Sequence, residues 1–308
     1  MKKFNMKKFT FLLIMVNVFF FIALSVYSTP KAANSDNNKI EERDTYLNII
    51  VTNKLIFSMT KEIVKNKHNI EYMFKNEDEA QKFTFSQDSL DNISSMDFFL
   101  YMGSGAEPWI NDFINGLKKG KVGVINLSRG TRTLNYSKPK VINNNEVKVN
   151  PYYWLSPDDY KISLYNIKSA IQDRDPKNRE YYEDNYEVLI QKIDKEVEGL
   201  KQEQKILNEY NIYLLGDNLE YLMKSLGIEY SKIPLGEEPQ EYIKTFGELK
   251  GSKKLIIYDD IKAMEDIKKY VVGLNVKELN IKIPNYSDDY LSYINNIKEQ
   301  LKALDSSK

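Results

Sequence analysis

Two residue types that dominate metal and acid–base chemistry are almost missing from this chain, which has no cysteine and one histidine, His68. Thiolate-held zinc or iron, disulfides and lipid attachment through an N-terminal cysteine are therefore excluded, and no mechanism needing a histidine pair is available. His68 stands in KNKHN, among lysines, and reads as a solvated surface residue. What remains is oxygen and guanidinium chemistry. Ser128, Arg129 and Arg132 follow one apolar run, Asp217 a second, and Asp259 and Asp260 a third. An arginine at 129 or 132 reaching Asp217 or Asp259 would place a fixed positive charge there. Together with some of the 22 tyrosines, the same arginines would suit an organic or anionic ligand. The acidic pairs at 158, 259 and 288 read as helix-starting or turn residues, and G-x-S-x-G, H-E-x-x-H and P-loop patterns are absent, so an enzyme is not expected.

Those residues need a scaffold, and the chain alternates strand and helix patterns. YLNIIVT (46–52), MDFFLYMG (96–103), KVGVINLS (121–128), NIYLLG (211–216) and KKLIIYDD (253–260) are strand candidates, interleaved with helical stretches around 56–64, 108–119, 218–227, 261–273 and 288–304. Such alternation predicts parallel sheets covered by helices, with ligands received at the C-terminal ends of the strands. Thr131 to Asn150 is polar and Asn-rich, a loop or hairpin. Helices follow over 157–172 and 176–204, each with Pro near its start. In the second, Tyr182, Tyr186, Leu189, Ile190, Ile193, Val197 and Leu200 form one stripe, and its length of about 28 residues or about 42 Å is enough to join two lobes. The expected organisation is an N-terminal segment (1–33), a tether (34–45), an N-terminal lobe (46–156), a helical segment with the bridging helix (157–205) and a C-terminal lobe (206–308).

Lys2, Lys3, Lys7 and Lys8 precede an apolar run from Phe9 to Tyr27. This is an export signal, either cleaved after a small residue such as Ser28 or Ala33 or kept as a membrane anchor with the lysines inside. Both outcomes place the rest of the chain outside the cytoplasm. Forty-four basic residues cancel forty-four acidic ones, which argues against a nucleic-acid partner. With 42% hydrophobic and 29% charged residues, the composition is that of a folded globular protein.

Three stretches carry a resemblance. NPYYWLSPDDYKISLYNIKSAIQDRDPKNREYYEDNYEVLIQKID (150–194), YMGSGAEPWINDFI (101–114) and GDNLEYLMKSLGIEY (216–230) fall in one order and spacing, together with IIVTNKLIFSMTKEIV near the start. The sequence resembles the substrate-binding proteins of zinc and manganese ABC importers, from residue 46 to the C-terminus. The resemblance implies two similar lobes joined by one long helix, a cleft between them, and a zinc or manganese ion held there by about four side chains. It also implies an ABC permease as the partner at the membrane.

Carried over position by position, the ligands fail. The first histidine falls on Gln81, with Phe83 and Thr84 where the family has Tyr and Glu; the second falls on Tyr152, the third ligand on Gly216, and the last carboxylate near Asn285. Gln and neutral Tyr are weak ligands and Gly supplies no side chain, so a tight transition-metal site is not expected. The Asn-rich loop, where zinc members often carry histidines, has none. A hard cation held by oxygens of Gln81, Asp217, Asp259 and Asp260 is one alternative. The expectation is a solute-binding protein with a degenerate metal site. The alternative is a receptor-like descendant that binds another small ligand or a surface or protein partner.

Overall fold

The computed structural model describes residues 45–118, 120–142, 145–248, 253–286 and 288–306. The export segment and nearly all of the tether lie outside them. Among the described residues no helix is long and apolar enough to cross a membrane.

The first lobe is built on β1 (Asn48–Asn53), β2 (Asn69–Phe74), β3 (Phe98–Tyr101) and β4 (Gly123–Asn126), in the order β2-β1-β3-β4 and parallel throughout. Helices α1 (Lys54–Val64), α2 (Glu77–Gln81), α3 (Gln87–Ser94) and α4 (Ile110–Gly116) connect them. Each of the first three starts on a side-chain cap. Asn53 accepts from the Ile56 amide, Asn76 from Glu79 and Ser86 from Ser89, satisfying amide groups that a first turn leaves without partners.

An antiparallel hairpin, β5 (Asn135–Ile142) with β6 (Asn145–Val149), occupies the polar stretch; its register shifts between Asn135 and Lys140. The chain then makes a 3-10 turn, Tyr152–Leu155, and enters α5 (Pro157–Arg174) and α6 (Arg179–Glu203). Pro157 sits in the first turn of α5, where no amide hydrogen is needed, and Ser156 caps it.

The second lobe repeats the scheme with β7 (Asn211–Leu215), β8 (Ser231–Ile233), β9 (Lys254–Tyr258) and β10 (Val276–Asn280), in the order β10-β9-β7-β8 and again parallel. Helices α7 (Glu220–Ser225), α8 (Pro239–Gly247) and α9 (Ile261–Val271) flank this sheet, and α10 (Tyr290–Ser306) closes the chain. One apolar core runs through the molecule, from Val51 and Ile56 through Tyr182, Ile193 and Leu200 of α6 to Leu214, Ile257 and Ile294. Two outer cores cover the far face of each sheet. An aromatic one around Phe99, Trp109 and Phe113 belongs to the first lobe, and one around Ile233, Phe246 and Met264 to the second.

The two-lobed α/β fold and the long helix agree with the sequence, and the hairpin resolves its loop-or-hairpin alternative. His68 departs from it. It is 4% exposed, not a surface residue. The Leu47 amide donates to Nδ1 at 3.4 Å, and Nε2 lies 2.8 Å from the Tyr182 hydroxyl, which donates to Asp175. The polar stretch around His68 is the turn between α1 and β2; Lys65 pairs with Glu62 and Lys67 lies over the Tyr181 ring, while His68, the last residue before β2, is buried.

Candidate functional site

Parallel strands aim their C-terminal ends at the space between the lobes, and the chemistry-bearing residues gather there. Helix α2 begins three residues after β2 ends, with Glu77 and Gln81 on one face by their four-residue spacing. Gln81 Nε2 donates to Glu77 Oε1 at 2.6 Å. The Tyr152 hydroxyl, from the 3-10 turn, lies 3.0 Å from both Glu77 oxygens. The two positions where the resemblance expects histidines thus converge in space on one carboxylate, Glu77. Burial pushes the Glu77 pKa up, opposed by the Tyr152 hydrogen bond and the charge of Lys140. Burial, and then the charge of Glu77, raise the Tyr152 hydroxyl far above its ordinary range, so it is a neutral donor.

Gly216, at the third ligand position, is buried with φ +82°. A Cβ there would lie 3.1 Å from Leu235 Cδ1, so backbone conformation and Leu235 both work against a ligating side chain. Asn285 is exposed and forms a turn in which its amide donates to Asp288 Oδ2.

The carboxylates after the second-lobe strands have partners of their own. Asp217 accepts from the Ser137 amide at 2.9 Å, the Ser137 hydroxyl at 2.6 Å and Lys232 Nζ at 2.7 Å. Despite the penalty of burial, these donors hold its pKa below the usual carboxylate value. Asp259 accepts from Asn218 Nδ2 at 2.8 Å, and burial raises its pKa. Asp260 caps α9, accepting from the Lys262 and Ala263 amides, which accounts for it without a cation. The four oxygen donors Gln81, Asp217, Asp259 and Asp260 are therefore engaged separately. Among the described residues, no three His, Cys, Asp or Glu side chains stand close enough to hold a metal ion.

Arg129 and Arg132 are exposed, and their backbones rather than their side chains make the local contacts. The Arg132 amide donates to Asp159 at 2.9 Å and the Arg129 carbonyl accepts from Asn166 at 2.8 Å. The cation on Asp217 is Lys232, not an arginine. Ser128 binds Asn126 behind Gly103, where φ is +75° and a Cβ would fall 2.1 Å from Asn126 Oδ1.

Several cleft residues escaped the sequence reading. Tyr136 and Tyr286 are 7% exposed and are raised by burial and then by the charge of Glu77. Lys140 Nζ stands 4.0 Å from the centroid of the Tyr136 ring and 3.3 Å from Asn218 Oδ1. For Glu77 a signal existed, its four-residue spacing from Gln81. Lys140 and Tyr136 had none, because a bulged hairpin brings them in. Glu107 is buried and accepts from the Thr52 hydroxyl and the Met102 and Gly103 amides, which fixes the turn after β3.

A two-lobed α/β receptor with a ligand cleft at facing strand ends is the class these features define. The sequence profile for "Zinc-uptake complex component A periplasmic" (ZnuA) matches residues 49–264. The chain belongs to this family of metal ABC transporter substrate-binding proteins. It is 24% identical to the high-affinity zinc uptake system protein ZnuA of Bacillus subtilis over 98% of both chains. To the manganese ABC transporter substrate-binding lipoprotein scaA of Streptococcus gordonii it is 25% identical, over 66% of this chain and 65% of that one. In fold it is similar to the metal-dependent lipoprotein YcdH of Bacillus subtilis (TM-score 0.64, 22% identity, 85% of this chain and 99% of that chain). It is likewise similar to the periplasmic zinc-binding protein TroA of Treponema pallidum (TM-score 0.61, 12% identity, 84% and 99%). These relatives are solute receptors, so the chain is not an enzyme.

Proposed function

We propose that this chain is an extracytoplasmic solute-binding protein of the metal-importer family whose metal site has degenerated. One observation carries the reading: the expected ligand positions hold Gln81 and Tyr152, both bound to Glu77, and Gly216, whose backbone disfavours a side chain. A transition metal needs several lone pairs converging at about 2.0–2.3 Å. Here a neutral amide and a neutral phenol point their hydrogens inward, and the nearby carboxylates are already satisfied by donors.

Zinc and manganese, the solutes in the relatives' names, are accordingly poor cargo for this cleft. The N-terminal lysines and apolar run support export and attachment at the outer face of the membrane. A chain without cysteine has no thiol for the lipid that the "lipoprotein" relatives are named for. An ABC permease is the partner that family membership suggests. The satisfied cleft favours a second reading, a receptor-like protein that has left metal transport and binds another small ligand or a surface partner.

Elemental analysis of the purified protein and calorimetric titration with zinc and manganese test the proposal. The expected result is less than a tenth of an equivalent of bound metal and no sub-micromolar heat of binding, roughly 8 kcal/mol or more being needed for such affinity. One equivalent of either metal, lost on Tyr152→Phe, would overturn it.

A further inference from the structure

A cavity of about 320 Å³ lies apart from the cleft residues, where four helices meet. Its walls are α1, the first turn of α5, the middle of α6 and residues 288–291, which lead into α10. On α1 and α6 the lining residues recur every three to four positions, with Leu55, Ser58 and Glu62 on one and Leu189, Lys192 and Ile193 on the other, so each helix turns one face to the cavity. The walls thus come from both lobes and from the segment that joins them.

The floor is apolar, since Leu55, Leu189 and Ile193 are buried core residues. The rim carries both signs of charge. Among the described residues, the Lys61 and Lys192 side chains make no ion pair or hydrogen bond. Glu62 uses only Oε2, on Lys65 at 2.6 Å, and Asp289 only Oδ2, which accepts from the Ser292 amide and hydroxyl at 2.8 Å. Asp288 accepts from the Asn285 amide. Tyr160 is 5% exposed and lies flat on the Tyr290 ring, with centroids 3.7 Å apart and 4° between the planes. Its hydroxyl has no hydrogen-bond partner among the described residues. Burial, and then the charges of Asp289 and Glu62 at the cavity wall, push its pKa up, so it stays neutral.

We propose that this cavity binds an apolar α-amino acid, its side chain on the Leu189 and Ile193 floor, its carboxylate on Lys61 and Lys192, and its ammonium on Asp289 and Glu62. The unpartnered Tyr160 oxygen supplies a further acceptor for the ammonium. A ligand of one sign would meet like charge on the same rim, whereas a zwitterion satisfies both. The volume is at the small end of the roughly 300–1,000 Å³ of ligand pockets, which suits one amino acid rather than a longer peptide. Because both lobes contribute walls, a bound ligand stabilises the folded chain, whatever the cleft holds.

Calorimetric titration and thermal melting of the full chain in mild detergent test this with leucine and phenylalanine, and with hydrocinnamate and phenethylamine, which each keep one of the two charges. At least one of the amino acids is expected to bind with a Kd of about 1 mM or tighter and to raise the melting temperature. Each one-charge analogue should bind about tenfold more weakly than phenylalanine. Lys192→Met should weaken binding about tenfold and Tyr160→Phe about threefold. Lys192 is exposed and the Tyr160 hydroxyl has no partner to lose, so neither change disturbs the core. Lys195→Met, exposed on the same helix outside the cavity, and Tyr152→Phe, in the cleft, should leave the affinity unchanged. No binding of either amino acid, equal binding of the one-charge analogues, or full affinity in Lys192→Met would overturn the proposal. Affinity lost on Tyr152→Phe would overturn it too, by placing the ligand in the cleft.

Discussion

At the scale of single residues, two neighbourhoods matter. Tyr182 holds His68 and Asp175 in a buried chain of hydrogen bonds that ties the start of β2 to α6. Removing that hydroxyl leaves two buried polar groups short of a partner, so Tyr182→Phe is expected to cost about 1–3 kcal/mol in denaturant unfolding. Burial lowers the His68 pKa from 6.5, opposed by the charge of Asp175, by a backbone hydrogen bond at Lys67 and by the charge of Asp97, while the charge of Lys67 adds a smaller downward push. Above 6.5 the ring is neutral folded and unfolded, and its contribution is complete. As pH drops below 6.5 the unfolded chain takes up the proton first, and stability declines until the folded-state pKa is passed. The difference in melting temperature between wild type and His68→Gln should therefore shrink between pH 8 and pH 5. A pH-independent difference would contradict it.

At the scale of elements, the strand-to-helix turns set what the cleft can hold. The turn after β7 requires positive φ at Gly216, so Gly216→His should cost about 1–3 kcal/mol and give no gain in zinc affinity by calorimetry. Helix α6 serves both lobes through one buried stripe. Ile193 is fully buried in the continuous core, and Ile193→Ala is expected to lose about 2–5 kcal/mol by chemical denaturation. The stripe was legible in the sequence because a helix with one buried side repeats its apolar residues every three to four positions. Interior strands β1, β3, β7 and β9 were legible too, since each is buried on both faces and reads as an apolar run. The edge strands β2, β8 and β10 were not. NIEYMF and VKELN alternate with charges and SKI has three residues, so neither length nor hydrophobicity marks them.

At the scale of the molecule, the core that passes from the first sheet through α6 to the second makes the lobes one cooperative body. Scanning calorimetry of the protein should give a single unfolding transition, and two resolved transitions would show the lobes to be energetically independent. The sequence by itself determined the alternation of strands and helices, the bridging helix and the restriction of histidine to the single position 68. These are properties of local pattern and residue type, and no distant contact alters them. Only the tertiary structure decided that His68 is buried, that Gln81 and Tyr152 meet on Glu77, and that Lys140 rather than an arginine enters the cleft. Each of those depends on a contact between residues far apart in the chain: Tyr152 and Glu77 are 75 positions apart and 3.0 Å in contact, Lys140 and Asn218 78 apart, and His68 and Tyr182 114 apart. Lys140 is carried by a bulged hairpin, and the bulge is not written in residue type alone.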